Sequence, residues 1–246
     1  MLLARLLLLV LSTRDPAGQP AQAPTQQPAR VRFEAKEYRK VSPRCPSKRA
    51  FCFGVHAHVV VVDGEPVVSA KWLAARIKEA NRLFAPIDVG FRVVKADAID
   101  SSYARVATRE QRDQIGAKRF GPEVVHLFLV GQLDDVDVAD TQIRGVHWRL
   151  RRDTSKRWIV MSSIASPMVL AHELGHFFSL PHSGYKVSIM NKRPREDPPW
   201  EERVFARPEQ AKMIEARDGM VASGFLKNRR APEPSLPKAE LPKAEP

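Results

Sequence analysis

The sequence predicts an α/β fold in which helices pack on a mixed, mainly parallel, twisted β-sheet. Apolar β-branched runs alternate along the chain with segments of helical periodicity, which is the pattern of such folds. The 246 residues are 43% hydrophobic, enough for one sizeable core and hardly for two, because domains usually contain ~100–200 residues. The charged content of 28% and the aromatic content of 7% exclude a wholly disordered chain, a coiled coil and a disulfide-dense mini-protein.

The first predicted elements are a buried strand and an amphipathic helix. The strand is the β-branched, apolar run at residues 55–62, which is bounded by a turn sequence. Ser69 is expected to cap the helix that follows, and apolar residues recur on one face of it as far as Phe84. Pro86 cannot continue the helix and ends it.

The later elements continue the alternation and complete the sheet. We predict strands at residues 89–94, 124–130, 143–150 and 157–162, and helices at residues 108–118 and 208–221. Asp153-Thr154-Ser155 is the predicted turn between the last two strands. Strands that alternate with helices favour parallel pairing, whereas two strands joined by a short turn pair antiparallel.

Both ends of the chain differ in composition from its middle. Residues 1–23 predict a signal peptide, because Arg5 precedes an apolar run that is too short to span a bilayer. We therefore expect a secreted or periplasmic protein without a transmembrane anchor; the alternative is an uncleaved or misannotated start. Residues 24–30 predict a Pro-rich linker, residues 31–226 the folded domain, and residues 227–246 a low-complexity tail of Pro, Lys, Ala and Glu.

The chain is strongly basic, with 40 Lys and Arg against 28 Asp and Glu, for a net charge of +12. Such a charge favours acidic partners. No zinc-finger spacing or RNA-binding signature accompanies it, so no nucleic-acid partner is expected. Basic residues near the predicted last hairpin either favour acidic substrates or are solvated surface charge: Arg144, Arg149, Arg151, Arg152, Lys156 and Arg157.

Cys45 and Cys52 are the only cysteines and are expected to form a disulfide in an exported protein. In a chain-entropy treatment, closing so short a loop contributes ~2.5 kcal/mol to stability. Two cysteines alone cannot hold a zinc ion.

Residues 172–182 read HELGHFFSLPH and are the part of the sequence that indicates chemistry. In a helix begun by Ser166 as cap and Pro167 at the first position, His172 and His176 project from one face at positions i and i+4. Two imidazoles so placed can bind one zinc ion, with Glu173 beside it. The alternative for an HExxH pattern alone is a pair of helix histidines whose hydrogen bonds are satisfied within the fold.

A third histidine follows at the right distance. Pro181 cannot continue the helix, so the chain must bend near Ser179, and the bend can bring His182 back to the metal. Three neutral histidines leave the fourth position of tetrahedral zinc open for water, as catalytic sites do. Zinc lowers the pKa of such a water to ~7, and Glu173 is placed to take its proton.

This segment resembles the zinc-binding signature and Met-turn of the metzincin metalloproteases, and within them it is most similar to the matrixins. The matrixin pattern HExGHxxGxxHS, with Met eight residues after the third His, is matched by His172, Glu173, Gly175, His176, His182, Ser183 and Met190. The resemblance spans about residues 166–191. It implies a zinc endopeptidase with the three histidines as ligands, Glu173 as general base, and Met190 beneath the metal without binding it.

The resemblance also implies a metzincin-like domain at residues 31–226, with a long active-site helix and a small C-terminal subdomain containing the Met-turn. The strand at residues 143–150 would be the edge strand along which an extended peptide or protein substrate lies, because unpaired backbone groups recruit a further strand. Residues 192–194 would line the pocket on the primed side of the cleavage site. We expect a monomer.

The sequence departs from the matrixin pattern at two points. Ser179 replaces a glycine whose left-handed backbone costs a non-glycine residue ~1–2 kcal/mol. Pro43-Arg44-Cys45 resembles the start of the cysteine switch, in which a thiolate occupies the open position of zinc, but the rest of that motif is absent. A disulfide to Cys52 is therefore the favoured prediction, and a switch is the alternative.

Several other residues are weaker candidates for metal binding or catalysis, and for each there is an alternative without such a role. His56 and His58 share a strand face and either bind metal or pack. Tyr185 and His147 either hydrogen-bond the reacting carbonyl or pack. Four carboxylates either bind calcium, as many matrixins do, or belong to a solvated loop: Asp134, Asp135, Asp137 and Asp140.

The sequence thus predicts an exported zinc endopeptidase. Two alternatives are a zinc-stabilised binding module without turnover and a zinc amidase that acts on cell-wall peptides.

Overall fold

Residues 32–42, 44–193 and 197–230 are described by a computed structural model. The predicted signal peptide, the Pro-rich linker and residues 231–246 of the predicted tail lie outside the described residues. The helices are α1 (Ala35–Lys40), α2 (Ala70–Leu83), α3 (Arg109–Ala117), α4 (Val169–Phe177) and α5 (Arg207–Ala222). The strands are β1 (Phe51–Val62), β2 (Glu65–Pro66), β3 (Val89–Ile99), β4 (Arg105–Val106), β5 (Val124–Val130), β6 (Gln132–Leu133), β7 (Gly145–Leu150) and β8 (Asp153–Ser162).

Six of these strands form one twisted, mixed sheet, as the sequence predicted. The order is β2-β1-β5-β8-β7, and β3 also pairs with β1. The β1–β3, β1–β5 and β5–β8 pairs are parallel, whereas β1–β2 and β7–β8 are antiparallel. Helix α2 connects β1 to its parallel neighbour β3, whereas the connection from β5 to its parallel neighbour β8 contains β6 and β7 and no helix. Strand β7 lies at the edge, which confirms the predicted edge strand.

The hairpin turn lies earlier than the sequence predicted. Residues 151–152 form the turn, and β8 already begins at Asp153, which pairs with Leu150. The side chain of Asp153 accepts a hydrogen bond from the backbone N–H of Ser155 at 3.3 Å. Asp153, whose type is common in turns, thus finds its hydrogen-bond partner within the strand. For this reason the predicted turn at residues 153–155 lies two residues too late.

Two helices begin at a capping side chain, of which the sequence predicted the one at Ser69. The Ser69 hydroxyl accepts a hydrogen bond from the backbone N–H of Trp72 at 3.1 Å and caps α2. At α3 the Thr108 hydroxyl accepts from the N–H of Gln111, whose side chain in turn accepts from the N–H of Thr108. This reciprocal pair satisfies two backbone donors that a helix start otherwise leaves exposed.

Helix α4 is shorter than expected and lacks the predicted cap. It has nine residues and begins at Val169, after Met168, with no side-chain cap. The hydroxyl of Ser166 instead accepts a hydrogen bond from the indole N–H of Trp200 at 3.4 Å, while its carbonyl accepts from the N–H of Val169 at 3.1 Å. The prediction that Ser166 caps this helix is therefore wrong, because a tertiary contact engages the hydroxyl.

The sheet separates two apolar layers. On one face of β1, Phe53, Val55, Ala57 and Val59 pack with α2 and α4. Alternate residues of a strand point to opposite faces, so Val60 packs on the other face, in a second layer that contains residues of α3 and β5. The helix that carries the HExxH motif and the side chains of His56 and His58 therefore lie on opposite sides of the sheet.

A disulfide and a C-terminal segment hold the start of β1. The structure pairs Cys45 with Cys52, with 5.8 Å between their Cα atoms. Because Cys45 is engaged in this bond, it offers no thiolate for a cysteine switch. The side chain of Asn228 accepts a hydrogen bond from the N–H of Cys52 at 3.0 Å. In the part of the chain that is described, no helix has both the length and the apolar character needed to cross a membrane.

Candidate metal centre

Helix α4 carries two imidazole rings, and one nitrogen of each ring is fixed by a hydrogen bond to a main-chain carbonyl. The Nδ1 of His172 lies 2.8 Å from the carbonyl oxygen of Ile189, and the Nδ1 of His176 lies 2.7 Å from that of Leu180. A carbonyl only accepts hydrogen bonds, so both Nδ1 atoms carry the proton. The lone pair of each ring is therefore on Nε2, which is the arrangement that metal-binding histidines commonly have.

A bend after α4 brings the third imidazole to the other two. Ser179 has a φ of 69°, the left-handed conformation expected there, and the N–H of Leu180 donates to the carbonyl of Gly175 at 3.0 Å. The Nε2 of His182 then lies 3.1 Å from the Nε2 of His176. One ring nitrogen from each of the three histidines lies within 4.8 Å of the other two.

This donor set fits a zinc ion. Burial lowers the pKa of His172 and of His182 to about 4, and it lowers the pKa of His176 as well. All three rings are consequently neutral at neutral pH, as metal ligands must be. Three imidazole nitrogens that converge on one point are a common ligand set for catalytic zinc.

The carboxylate of Glu173 is buried beside these imidazoles and is fixed to the edge strand. The side chain is 5% exposed, and its Oε2 accepts a hydrogen bond from the backbone N–H of His147 in β7 at 2.7 Å. Burial raises the pKa of Glu173 to about 8. A carboxylate whose pKa lies near neutrality can both take and return a proton, as a general base must.

Gly145 allows this close contact between α4 and β7. A Cβ atom at position 145 would lie 2.8 Å from Cγ1 of Val169 and 3.0 Å from Cγ of Glu173. Both distances are shorter than a carbon–carbon contact allows, so a side chain here would push the carboxylate away.

The turn that contains Met190 lies directly beneath α4. Met190 is fully buried, and a Cβ at Gly175 would lie 2.6 Å from its Sδ. The N–H of Met190 donates to the hydroxyl of Ser188 at 2.9 Å, and that hydroxyl donates to the carboxylate of Glu209 at 2.7 Å. The turn also supplies the carbonyl of Ile189 that orients His172.

Glu209 is a residue of the site that the sequence analysis missed. It is 4% exposed and also accepts a hydrogen bond from the backbone N–H of Ala206 at 2.7 Å. Its place in the first turn of α5 is the sequence signal that could have found it, because a Glu there commonly reaches back to the helix start.

A cleft of about 1050 Å³ opens beside His172 and Glu173 and reaches Gly145 at the start of β7. Its cationic lining residues are Arg144, Lys192, Arg193 and Arg203, and Glu173 is the one carboxylate among the lining residues described. Lys192 and Arg193 thus line the cleft, while Pro194, the third residue predicted to do so, lies outside the described residues. The apolar lining residues include Ile143, Ile164 and Trp200.

Two weaker candidates do not join the site. Tyr185 is 46% exposed and does not line the cleft. The ring of His147 packs against that of Phe177, with 5.7 Å between their centroids, and its Nε2 is buried without a hydrogen-bond partner in the described structure. The side chain of His147 therefore packs, as the alternative for this residue stated. Only the backbone N–H of His147 contacts Glu173.

Of the two alternatives for the aspartates at residues 134–140, calcium ligands or a solvated loop, the structure does not support calcium binding. Asp134 forms an ion pair with Arg105 at 2.6 Å, and Asp137 forms one with Arg109. Asp135 accepts a hydrogen bond from the backbone N–H of Asp137 at 2.8 Å. The carboxylates of this loop are thus directed at different partners and do not converge on one point.

A second group of three histidines lies within the other apolar layer. His56 and His58 of β1 meet His126 of β5, and one ring nitrogen from each lies within 4.8 Å of the other two. All three side chains are buried. Burial lowers the pKa of His58 to about 2 and that of His126 to about 4. The sequence analysis singled out the first two and missed His126, because the pairing register of β1 with β5 cannot be read from either strand alone.

Comparisons with known proteins return only distant structural similarity. The metalloproteinase-II of Bacteroides fragilis is 14% identical with a TM-score of 0.46 over 70% of this chain, which spans only 55% of that protein. The archaemetzincin of Methanopyrus kandleri is 14% identical with a TM-score of 0.45, over 70% of this chain and 99% of that one. Mature mirolysin of Tannerella forsythia is 11% identical with a TM-score of 0.45, over 74% of this chain and 100% of that one.

No protein-family model and no curated protein matches the sequence. The three structural similarities are too weak to assign a family or an activity to this chain.

Proposed function

We propose that this protein is a zinc-dependent endopeptidase. The observation that carries the proposal is the convergence of the ring nitrogens of His172, His176 and His182 within 4.8 Å of one another, beside the buried carboxylate of Glu173. The match of the HExxH segment, Ser183 and Met190 to the matrixin pattern supports the same proposal and makes a matrixin-like metzincin its finer form.

The three histidines would hold the metal, and Glu173 would move the protons. Bound zinc supplies a Lewis acid that polarises a carbonyl and lowers the pKa of water. Glu173 takes a proton from the attacking water and passes it to the amine that leaves when the peptide bond breaks. The hydrogen bond from the N–H of His147 holds the carboxylate in place for both transfers, and burial keeps its pKa near neutrality.

Strand β7 is the proposed platform for the substrate. Its outer edge is not paired within the sheet, and Gln142 to Gly145, at and just before its start, line the cleft. An extended peptide can add to such an edge through main-chain hydrogen bonds. A peptide held in this way would pass close to Glu173, which contacts the same strand, so an internal peptide bond could reach the site.

A zinc-stabilised binding module would need the imidazoles and no base. Burying the carboxyl group of Glu173 costs free energy that its one hydrogen bond to the edge strand offsets only in part, and a module that only bound zinc would gain nothing from that cost. This observation favours catalysis over binding. We further propose that the protein acts outside the cytoplasm, because residues 1–23 have the composition of a signal peptide.

The test is a digest with the purified full-length protein. The protein should contain bound zinc by elemental analysis, and it should cleave members of a peptide library at internal bonds. A chelator should stop the cleavage and added zinc should restore it. Cleavage that is indifferent to the chelator would contradict the proposal. Zinc binding without cleavage of any peptide or protein would favour the binding module, and cleavage of cell-wall peptides alone would favour the amidase.

A further inference from the structure

We propose that His56, His58 and His126 form a second zinc site, on the face of the sheet opposite to α4. One ring nitrogen from each residue lies within 4.8 Å of the other two. The residues come from two neighbouring parallel strands, and His56 lies directly opposite His126 in the β1–β5 register. The proposal depends only on this cluster and stands independently of the proposed peptidase activity.

The spacing of the nitrogens is close to what zinc requires. The Nε2 of His58 lies 3.0 Å from the Nδ1 of His126. The corresponding pair in the first centre, His176 and His182, is separated by 3.1 Å. Two nitrogens bound to one tetrahedral zinc at ~2.0–2.1 Å are separated by about 3.3 Å, so both pairs need only a small adjustment to share an ion.

The rings of His56 and His126 are each held by a hydrogen bond at Nε2, the nitrogen that the metal would not use. The Nε2 of His56 donates to the carboxylate of Asp97, on β3, at 2.6 Å. The Nε2 of His126 lies 3.0 Å from the carbonyl oxygen of Gly121. The backbone N–H of Gly121 lies 3.0 Å from the same Nε2, so the main chain contacts this nitrogen in either tautomer. In both rings Nδ1 is the nitrogen that these partners do not engage, and a carboxylate or a carbonyl behind the ring is the usual outer partner of a metal-binding histidine.

The ring of His58 is held by packing and not by a hydrogen bond at its other nitrogen. Its Nδ1 is buried and has no hydrogen-bond partner in the described structure, and its Nε2 is the nitrogen that faces His126. The ring of His58 stacks on that of Phe128 at 4.4 Å between centroids, so it cannot swing out to water without disturbing the core.

The cluster is buried within an apolar layer. His56, His58 and His126 are 9%, 2% and 3% exposed. Three imidazoles supply three of the four ligands of tetrahedral zinc, and a water would be the fourth. Imidazole suits zinc, as it does copper, iron and nickel, whereas magnesium and calcium prefer oxygen ligands. An ion here would tie β1 to β5, and through Asp97 to β3.

The experiment counts zinc atoms in the full-length protein and in single variants. Each protein is incubated with zinc, freed of loose metal on a desalting column, and analysed for metal per chain. We expect two zinc atoms in the parent, one in His126→Asn and one in His176→Ala, and none in the double variant. A parent with a single zinc that His176→Ala loses and His126→Asn keeps would overturn the second site and leave the peptidase proposal intact.

The same zinc counts also identify the opposite case, in which only the second site binds zinc. A parent with one zinc that survives His176→Ala and is lost in His126→Asn would support the second site and contradict the first. Phe128→Leu is the matched control: it disturbs packing against His58 and keeps every nitrogen, so it should retain both ions. If it loses one as His126→Asn does, the loss reflects packing and the proposal fails.

A thermal measurement covers the case in which His126→Asn folds poorly. In the His176→Ala background, zinc should raise the melting temperature, because an ion that binds only the folded chain stabilises it. Asp97→Asn in that background removes the charge behind His56 at a half-exposed position and should weaken zinc binding at least tenfold in a titration. An unchanged melting temperature with zinc, or an unchanged affinity in Asp97→Asn, would count against the site.

Discussion

The carboxylate of Glu173 accepts a hydrogen bond from the backbone N–H of His147 at 2.7 Å. The proposed general base is thus fastened to the same edge strand that we propose holds the substrate. Because the donor is a backbone group, substitution at His147 by any residue other than proline leaves it in place. The contact depends instead on how closely α4 approaches β7, which Gly145 permits.

Replacing Glu173 with Gln tests its role as general base. Gln keeps the shape of the side chain and an oxygen that can accept from the N–H of His147, but it cannot take a proton at neutral pH. We expect kcat to fall by ~10²–10⁴-fold while the zinc content per chain stays as in the parent. Steady-state kinetics on one cleaved peptide, paired with metal analysis, measure both. Undiminished turnover in this variant would show that another group carries the proton.

Gly145→Ala tests the close contact between α4 and β7. The new Cβ would lie 2.8 Å from Val169 and 3.0 Å from Glu173, so α4 or the carboxylate must move. We expect a loss of ~1–3 kcal/mol in stability from overpacking and a fall in kcat. The matched control is Gly219→Ala in α5, where a Cβ meets nothing within 4 Å; it should gain ~0.5–1 kcal/mol. Full activity and stability in Gly145→Ala would contradict the contact.

Ser179→Gly tests the bend that carries His182 back to the site. Ser179 has a φ of 69°, and this left-handed conformation costs a residue with a Cβ ~1–2 kcal/mol. Glycine removes that cost but gains freedom in the unfolded chain, so we expect a net gain of ~1 kcal/mol in the free energy of unfolding. Ser223→Gly is the control, since Ser223 has a φ of −78° and should lose stability. A clear loss in Ser179→Gly would be the contrary result.

Tyr38→Phe tests a dependence of stability on alkaline pH. Tyr38 is 2% exposed, its hydroxyl donates to the carbonyl of Val68, and burial raises the pKa of Tyr38 to about 12 from a usual 10.0. Between these values the folded chain keeps a proton that the unfolded chain releases. Stability should therefore be full below pH 10 and fall by about 1.4 kcal/mol per pH unit above it.

Tyr38→Phe should abolish that slope in chemical unfolding curves recorded between pH 9 and 12. At neutral pH the variant should be less stable by about 1 kcal/mol, because the carbonyl of Val68 loses its donor. Tyr185→Phe is the control, because the ring of Tyr185 is 46% exposed and already meets water in the folded protein; its slope should match that of the parent. An alkaline slope that persists in Tyr38→Phe would assign it to other groups.

Replacing both Cys45 and Cys52 with Ser should lower the free energy of unfolding by ~2.5 kcal/mol, the entropy of so short a closed loop. Denaturant unfolding under non-reducing conditions measures the difference. A reductant should lower the stability of the parent towards that of the variant and leave the variant unchanged. A reductant that affects both proteins equally would show that the disulfide is not the cause.

Helix caps and strand bounds could be predicted from the sequence wherever they depend only on residues that are close along the chain. Ser69 caps α2 because its hydroxyl reaches a donor three residues away, and β5 is bounded as its apolar run predicted. Ser166 is the counterexample. Its sequence context predicted a cap, but the indole of Trp200, 34 residues away, takes the hydroxyl.

The sequence by itself determined the first set of histidines, because helix geometry places residues i and i+4 on one face and the bend at Ser179 returns the chain within a few residues. Only the tertiary structure decided that His126 joins His56 and His58, and that Glu173 meets the backbone of His147. Those contacts join residues 68 and 26 positions apart. They depend on strand register and on how a helix docks, and no local pattern of side chains encodes either one.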